Sequence, residues 1–233
     1  MKVVILCGGK GQRISTETRD KPKPLIKIGK LSILEHIMMV YKNNGLNNFF
    51  LLTGYKGKKI KQYFKKIKKY NITFVETGLN TGTAGRIKKF KKFLKKNENF
   101  HLTYGDGLSN QNINHLYKFH LKHNKMCTMT VVRPPARWGE VKIKKSLITK
   151  YKEKRAAETG WINGGFMVLN EKIFNLLSNK RDEMFEGKPM EKLSKNKQLI
   201  GYKHKGFWQC MDTLKEKEYL TALVKKGNPP WIN

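Results

Sequence analysis

The chain begins with Met1–Leu25, MKVVILCGGKGQRISTETRDKPKPL, and this stretch is the most informative part of the sequence about the fold. A short apolar run, Val3–Cys7, leads directly into the glycine-rich turn Gly8–Arg13, and Lys23 follows ten residues after Arg13. Glycines without a Cβ let main-chain N–H groups close around an anion, and both cations can reach the same phosphates. The spacing is neither that of the Walker A loop nor that of the GxGxxG fingerprint, and a bare glycine turn would be structural only. With its two cations, the stretch predicts a nucleotide triphosphate site after a first strand.

The length of 233 residues allows one α/β domain with a full core. The glycine turn begins at residue 8, which leaves no room for a signal peptide, and no apolar run approaches the length of a membrane span. Cys7, Cys127 and Cys210 are odd in number, far apart and not spaced as metal ligands. We therefore expect three buried thiols, a cytoplasmic location and no membrane partner.

The net charge of +32 raises the alternative of a basic nucleic-acid-binding module. The lysines, however, fall on the outer faces of predicted helices. In Lys58–Lys69 the apolar residues Ile60 and Phe64 share one side, and Lys88–Lys96 repeats the pattern around Phe90. A nucleic-acid surface would instead expose aromatic rings among its cations. The pattern favours core helices with solvated lysine faces, so we expect no nucleic-acid partner.

Short β-branched or aromatic runs alternate with segments of helical period. The predicted strands are Val3–Cys7, Phe49–Thr53, Ile72–Glu76, Phe100–Tyr104, Cys127–Val132 and Gly165–Leu169, and the predicted helices are Ser32–Asn43, Lys58–Lys69, Ala84–Lys96, Asn112–His123 and Leu214–Lys225. This rhythm predicts a Rossmann-like α/β fold, a mostly parallel, mixed sheet flanked by helices in a single domain. Alternation over Gly139–Tyr151 indicates an antiparallel excursion.

Three polar residues are further candidates for the site, and the first of them, Asp106, follows a predicted strand at the end where ligands bind in such sheets. Asp106, in the run YGDG, forms either an Asp-Gly turn or a ligand for a cation that bridges phosphates. Asp212 precedes the last predicted helix, where an aspartate is commonly an N-cap, but two carboxylates from distant segments also suit Mg²⁺ when phosphates complete its shell. Asn163, before two glycines, makes a turn or presents its amide to sugar hydroxyls.

The motifs GGKGQR, KPKP, YGDG, EK, INGGF and FWQCMDT occur in the order and approximate spacing of the sugar-1-phosphate nucleotidylyltransferases, which the whole chain resembles. Within that family the chain is most similar to enzymes that join CTP and glucose 1-phosphate. The resemblance implies the nucleotide-diphospho-sugar transferase fold, with a nucleotide-binding half over 1–132 and a sugar-phosphate-binding half over 133–233. It implies Mg²⁺-dependent transfer of the nucleotidyl group, which gives CDP-glucose and pyrophosphate for polysaccharide synthesis.

The resemblance also implies roles for residues at the matching positions. Those expected at the nucleotide are Leu6, Gly8, Gly9, Gly11, Gln12, Arg13, Lys23, Thr81, Gly85, Arg86 and Gly105, with Lys23 on the α-phosphate and Arg86 reading the cytosine carbonyl. Those expected at the sugar phosphate are Gly139, Glu153, Lys154, Asn163 and Gly164, with Lys154 on the phosphate. Asp106 and Asp212 are expected to hold the metal, and Arg13, Lys23 and Asp106 to carry the catalysis.

Three departures from the family pattern leave alternatives open. Gln12 replaces the usual threonine of the glycine turn, and Gly29-Lys30-Leu31 replaces the expected GKP. A segment linked to subunit contacts, expected before the strand at Ile72, is almost absent. Other partners therefore stay open, such as GTP with a heptose 1-phosphate or CTP with a phosphorylated non-sugar, and so does homo-oligomerisation.

Overall fold

The computed structural model describes residues 1–134, 140–152 and 160–232. The strands are β1 (Val3–Cys7), β2 (Lys27–Ile28), β3 (Leu31–Ser32), β4 (Asn48–Thr53), β5 (Asn71–Glu76), β6 (Asn99–Tyr104), β7 (Gly107–Ser109), β8 (Cys127–Val132), β9 (Glu140–Lys144), β10 (Leu147–Lys152), β11 (Ile162–Asn170), β12 (Leu199–His204) and β13 (Trp208–Cys210). The helices are α1 (Ser15–Thr18), α2 (Ile33–Asn43), α3 (Gly57–Lys65), α4 (Thr83–Phe90), α5 (Ile113–His123), α6 (Lys188–Lys195) and α7 (Leu214–Lys225). Short 3₁₀ turns occur at Gln12–Ile14, Lys23–Leu25, Lys91–Phe93 and Glu171–Asn175.

Seven strands form the central sheet in the order β12-β8-β11-β6-β1-β4-β5. β1 runs parallel to β4 and β6, β4 to β5, and β12 to β8. Only β11 is antiparallel to its neighbours β6 and β8 among the sheet strands that the structure describes. The predicted mostly parallel, mixed sheet in a single domain is confirmed.

The first strand reads as a continuous apolar run because the sheet is covered on both faces. Val3 and Ile5 belong to the core that α2, α5 and α7 help to form, whereas Val4 and Leu6 belong to the core that includes residues of α4 and α6. All five residues of β1 are buried. β1 ends at Cys7, and the glycine turn follows directly at the carboxyl edge of the sheet.

The lysine-rich helices present the faces that the sequence predicts. Ile60 and Phe64 of α3 and Phe90 of α4 are buried, and the aromatic rings among these lysines point into the core. Both helices are shorter than predicted, because α3 ends at Lys65 and α4 passes into a 3₁₀ turn after Phe90. Only residues 66–70 separate α3 from β5, which confirms the short link. Among the described helices, none has both the length and the apolar character that crossing a bilayer requires.

The antiparallel excursion is the hairpin of β9 and β10. Sequence analysis did not predict the edge strand β12, the helix α6 or the pair of short strands β7 and β13. That last pair is antiparallel and joins the middle of the chain to a segment near its carboxyl end. The pair brings the segment that contains Asp212 beside the segment that contains Asp106.

Candidate active site

The glycine turn and Asp106 are neighbours because they follow two adjacent parallel strands. Leu6 of β1 lies opposite Tyr104 of β6, so the residues after each strand emerge at the same edge of the sheet. Gly11 has a left-handed φ of 67° and starts the 3₁₀ turn that carries Arg13. The predicted phosphate turn and the predicted carboxylate therefore share one edge.

Asp212 reaches this edge through the β7–β13 pair, in which Cys210 lies opposite Gly107. Asp106 directly precedes Gly107, Asp212 follows Cys210 by two residues, and the N–H of the intervening Met211 donates to the carbonyl oxygen of Asp106 at 2.9 Å. The helix cap that the sequence suggested for Asp212 is made instead by Thr213, whose side chain accepts from the main-chain N–H three residues on. The Asp212 side chain is thus left for other partners.

Lys23 joins the two carboxylates. Its Nζ lies 2.7 Å from Asp106 Oδ2 and 2.6 Å from Asp212 Oδ1. Arg13 Nη1 lies 2.9 Å from the second oxygen of Asp212. The side chain of Lys23 is buried, whereas Arg13 is exposed at the mouth of the site. Four residues that the sequence predicts for the chemistry therefore form one ionic cluster.

The charges of this cluster support each other. Burial acts to lower the pKa of Lys23, but the Asp106 and Asp212 carboxylates outweigh it and raise that pKa. Burial acts to raise the pKa of Asp212, but hydrogen bonding to Lys23 and the charges of Lys23 and Arg13 lower it overall. Both partners are consequently held in their charged forms.

The donor set fits a divalent metal ion. Asp106 and Asp212 each place an oxygen within 2.7 Å of one nitrogen, so the carboxylates converge on a single cation. Here that cation is the ammonium of Lys23. Two carboxylates that share a cation beside a phosphate-binding turn are the oxygen ligands that Mg²⁺ takes when substrate phosphates complete its shell. Asp106 and Asp212 are therefore the residues that would hold a metal.

The glycine turn borders a cavity of about 520 Å³. Nine of the eleven residues predicted at the nucleotide line it: Leu6, Gly8, Gly9, Gly11, Gln12, Lys23, Thr81, Arg86 and Gly105. Arg13 lies outside this cavity and lines the neighbouring one instead. The nucleotide residues that the sequence predicts are thus largely brought together.

Arg86 binds the main chain at the start of the glycine turn. Its guanidinium is buried and donates to the carbonyl oxygen of Gly8 at 3.0 Å and to that of Gly78 at 2.9 Å. A Cβ at Gly8 would lie 2.1 Å from Arg86 Nη1, and one at Gly54 would lie 2.3 Å from the same atom. Glycine at position 8 therefore makes room for the arginine. These donors of Arg86 therefore bind main-chain oxygens of the protein, although the family resemblance implied that the residue reads a base.

Gly85 does not line either cavity. A Cβ there would lie 2.3 Å from the carbonyl oxygen of Arg181, so the glycine permits close packing of the segment that begins with Arg181. Thr81 lines the larger cavity, but its hydroxyl donates to the carbonyl oxygen of Thr77 and accepts from Arg181 Nε. Both residues shape the cavity through their neighbours.

A second, smaller cavity of about 280 Å³ adjoins the first, and Asp106 and Tyr104 line both. Of the residues predicted at the sugar phosphate, Asn163 and Gly164 line it, together with Arg13 and Asp212. Gly139, Glu153 and Lys154 lie outside the described residues. The ionic cluster therefore lies where the two cavities meet.

Seven residues of the smaller cavity were not predicted as site residues, namely Thr103, Tyr104, Gly107, Gly165, Glu186, Trp208 and Cys210. Tyr104, Trp208 and Cys210 stand inside the motifs YGDG and FWQCMDT, which could have identified them. Glu186 lies in a segment without motif or period, so no signal marked it.

The expected burial of all three cysteines is wrong for Cys210, which is only partly covered. Burial, with the charge of Asp212, raises the pKa of its thiol to about 12.

Comparison with known proteins defines the class. A family model described as nucleotidyl transferase matches residues 2–226, so the chain belongs to the nucleotidyl transferase family. This agrees with the glycine turn, the paired carboxylates and the two adjoining cavities. The chain is a nucleotidyltransferase.

Among its relatives, the chain is similar to glucose-1-phosphate cytidylyltransferase of Salmonella typhimurium, with 38% identity over 254 residues covering 99% of this chain and 98% of that protein. It is 32% identical over 189 residues to D-glycero-alpha-D-manno-heptose 1-phosphate guanylyltransferase of Campylobacter jejuni, covering 80% of this chain and 83% of that protein. The solved structure of UDP-glucose pyrophosphorylase complexed with UDP-glucose superposes with a TM-score of 0.76 at 16% identity, covering 97% and 99% of the two chains. This last likeness shows the shared fold.

Proposed function

We propose that this enzyme transfers a cytidylyl group from CTP to glucose 1-phosphate, with Mg²⁺, and releases CDP-glucose and pyrophosphate. The relative of 38% identity that spans nearly all of the chain favours this pair of substrates over others. The cytoplasmic location expected from the sequence stays a prediction, and homo-oligomerisation stays open.

One observation carries the proposal, the convergence of Arg13, Lys23, Asp106 and Asp212 between the two cavities. A nucleotide in the larger cavity and a sugar phosphate in the smaller one would meet at this cluster. Both substrates are anions, so their approach is opposed by Coulomb repulsion. The buried ammonium of Lys23 and the exposed guanidinium of Arg13 would offset that repulsion at the meeting point.

The reaction needs no protein nucleophile. A phosphate oxygen of the sugar 1-phosphate attacks the α-phosphorus in line, the new O–P bond forms, and the bond to the bridging oxygen of pyrophosphate breaks. Pyrophosphate leaves with that electron pair. Positioning and stabilisation of the developing charge then account for the catalysis. We assign this charge stabilisation to Lys23 and Arg13.

A bound Mg²⁺ would supply further neutralisation of the phosphate oxygens. Asp106 and Asp212 would hold it, and the ammonium of Lys23, which now lies between them, would then be available to the α-phosphate. This assignment rests on the carboxylates' shared cation, described above.

The test is pyrophosphate release, measured with each of the four nucleoside triphosphates against glucose 1-phosphate, a heptose 1-phosphate and a phosphorylated non-sugar. We expect the highest kcat/KM for CTP with glucose 1-phosphate and loss of turnover when EDTA removes divalent ions. Turnover with GTP and heptose 1-phosphate alone would replace this substrate pair with that of the second relative.

A pair of variants checks the site. Asp106→Asn should lower kcat by about 10²–10³-fold, because it removes one charged metal ligand. Asp20→Asn, at an exposed aspartate outside both cavities, is the matched control and should match the wild type. Equal rates for the two variants would refute the role of Asp106.

A further inference from the structure

Glu186 connects the two cavities, and neither the family motifs nor the reaction described above assigns it a role. It lines the smaller cavity. One carboxylate oxygen accepts from the Tyr104 hydroxyl at 2.6 Å, and the other accepts from the Thr83 hydroxyl at 2.6 Å. Thr83 lines the larger cavity at the start of α4. The Glu186 carboxylate thus joins Thr83, which lines the larger cavity, to Tyr104, which lines both cavities.

The side of Glu186 that faces α4 is firmly anchored. The preceding residues 181–185 are fastened to the start of that helix by main-chain bonds, from Gly82 N–H to the carbonyl oxygen of Arg181 at 2.9 Å and from Ala84 N–H to that of Glu183 at 3.1 Å. The N–H of Phe185, whose ring is fully buried, donates to Thr83 Oγ1 at 2.7 Å. The backbone that carries Glu186 is therefore held in place before any substrate binds.

The other side leads to the residue predicted to contact the sugar. The Tyr104 hydroxyl accepts from Asn163 Nδ2 at 3.2 Å, while Asn163 Oδ1 accepts from the N–H of Gly165 at 2.8 Å. The Tyr104 ring lies against Gly165, where a Cβ would approach within 2.7 Å of the ring. The ring position is fixed by this packing, and the direction of its hydroxyl is fixed by Glu186. The Asn163 amide is consequently held by both of its ends.

We infer that Glu186 is a positioning residue for the sugar phosphate: acting through the Tyr104 hydroxyl, it fixes the orientation in which Asn163 presents its amide to the sugar hydroxyls. This rests on the proposed function, because it takes the smaller cavity as the sugar site. In this role Glu186 acts through the hydrogen bond that it accepts from Tyr104, and its negative charge is not required. The Thr83 hydroxyl donates to Glu186, and we expect the binding of CTP to depend little on the carboxylate.

The experiment measures steady-state kinetics and thermal unfolding for Glu186→Ala, Tyr104→Phe and their combination. Each single variant should raise the KM for glucose 1-phosphate about tenfold, the loss expected for one hydrogen bond, with kcat and the KM for CTP within about twofold of wild type. The double variant should be no worse than either single variant, because both changes break the same chain of bonds. Glu186→Gln should restore the wild-type KM, since its amide can accept from Tyr104 and donate to Thr83.

The matched control is Glu191→Ala, at an exposed glutamate of α6, which should leave all constants unchanged. An unaltered KM in Glu186→Ala would overturn the inference, as would independent, multiplying effects of the two single changes. A Gln variant as defective as the Ala variant would also overturn it, because that result requires the charge itself. Turnover by the wild type separates these outcomes from failure of the proposed function, which would appear as absence of activity with CTP and glucose 1-phosphate in the unchanged enzyme.

Discussion

Lys23 and Asp212 lie 189 positions apart in the sequence, yet the ammonium of one lies 2.6 Å from a carboxylate oxygen of the other. The same ammonium is 2.7 Å from Asp106. A single buried lysine therefore bridges the two carboxylates that would hold a metal. A metal bound there would compete with the lysine for the same oxygens, and this competition can be measured.

Replacing Lys23 with methionine should have two opposite effects. The rate of nucleotidyl transfer should fall by about 10²–10³-fold in kcat, because a cation that stabilises the developing charge is lost. Binding of Mn²⁺ without nucleotide should become tighter, because the ammonium no longer occupies the carboxylates. Electron paramagnetic resonance titration of free Mn²⁺ measures the second effect. Lys205→Met, at an exposed lysine, is the control; weaker Mn²⁺ binding in Lys23→Met would contradict the competition.

Arg86→Lys should destabilise the protein and weaken the binding of every nucleotide to a similar degree. A lysine cannot replace the forked donors that reach the carbonyl oxygens of Gly8 and Gly78, and unpaired buried acceptors cost about 1–3 kcal/mol. Thermal unfolding and calorimetric titration with CTP, UTP and GTP provide the measurement. A changed preference among the nucleotides at unchanged stability would show instead that Arg86 reads the base.

Two glycine substitutions should differ sharply in their effect on stability. Gly85→Ala places a Cβ 2.3 Å from the Arg181 carbonyl oxygen, and overpacking of this kind costs about 1–3 kcal/mol in the free energy of unfolding. Gly9→Ala meets no atom within 4 Å and should unfold like the wild type. Urea denaturation of the two variants side by side makes the comparison. Equal destabilisation would show that packing against Arg181 is not the reason for glycine at position 85.

Stability should decrease as the pH falls from 7 toward 4, in part because of His101. This side chain is 1% exposed, and its Nδ1 has no partner among the described residues. Burial, with the nearby amino-terminal charge, lowers its pKa to about 3. Between pH 6.5 and 3 the unfolded chain binds a proton that the folded protein does not, so the stability lost at pH 5 is about 2 kcal/mol.

His101→Leu should therefore flatten the dependence of the unfolding free energy on pH over this range. Urea denaturation at several pH values measures it, with His115→Leu at an exposed histidine as the control. Some slope should remain, because burial and neighbouring His123 also lower the pKa of His120, to about 4. Identical slopes in the wild type and His101→Leu would show that His101 is protonated equally in both states.

The local sequence was sufficient to predict those strands and helices whose hydrophobic pattern does not depend on a distant partner. β1 has the predicted bounds because its apolar run is buried on both faces and stops at Gly8. β12 was missed because it is an edge strand in which half-buried Ile200 and Tyr202 alternate with exposed residues. β7 and β13 have three residues each and exist through their mutual pairing, which no local pattern encodes.

The candidate site shows the same division. Arg13, Lys23, Asp106 and Asp212 were predictable because each stands in a motif whose chemistry suits phosphate or metal. Glu186 was not predictable, because its partners Tyr104 and Thr83 are more than 80 positions away. The surroundings of Arg86 likewise depend on how separate loops meet beyond the strands, so its main-chain bonds could be seen only in the folded structure.

The pairing of β7 with β13 bears on when the site can assemble as the chain is synthesised and folds. The second carboxylate of the ionic cluster, Asp212, follows β13, whose partner β7 lies in the middle of the chain, and closing so long a loop costs conformational entropy. During synthesis from the amino end, the glycine turn and Asp106 are completed before Asp212 has been added. We therefore expect a chain that ends upstream of residue 212 to lack transferase activity, because its ionic cluster is incomplete.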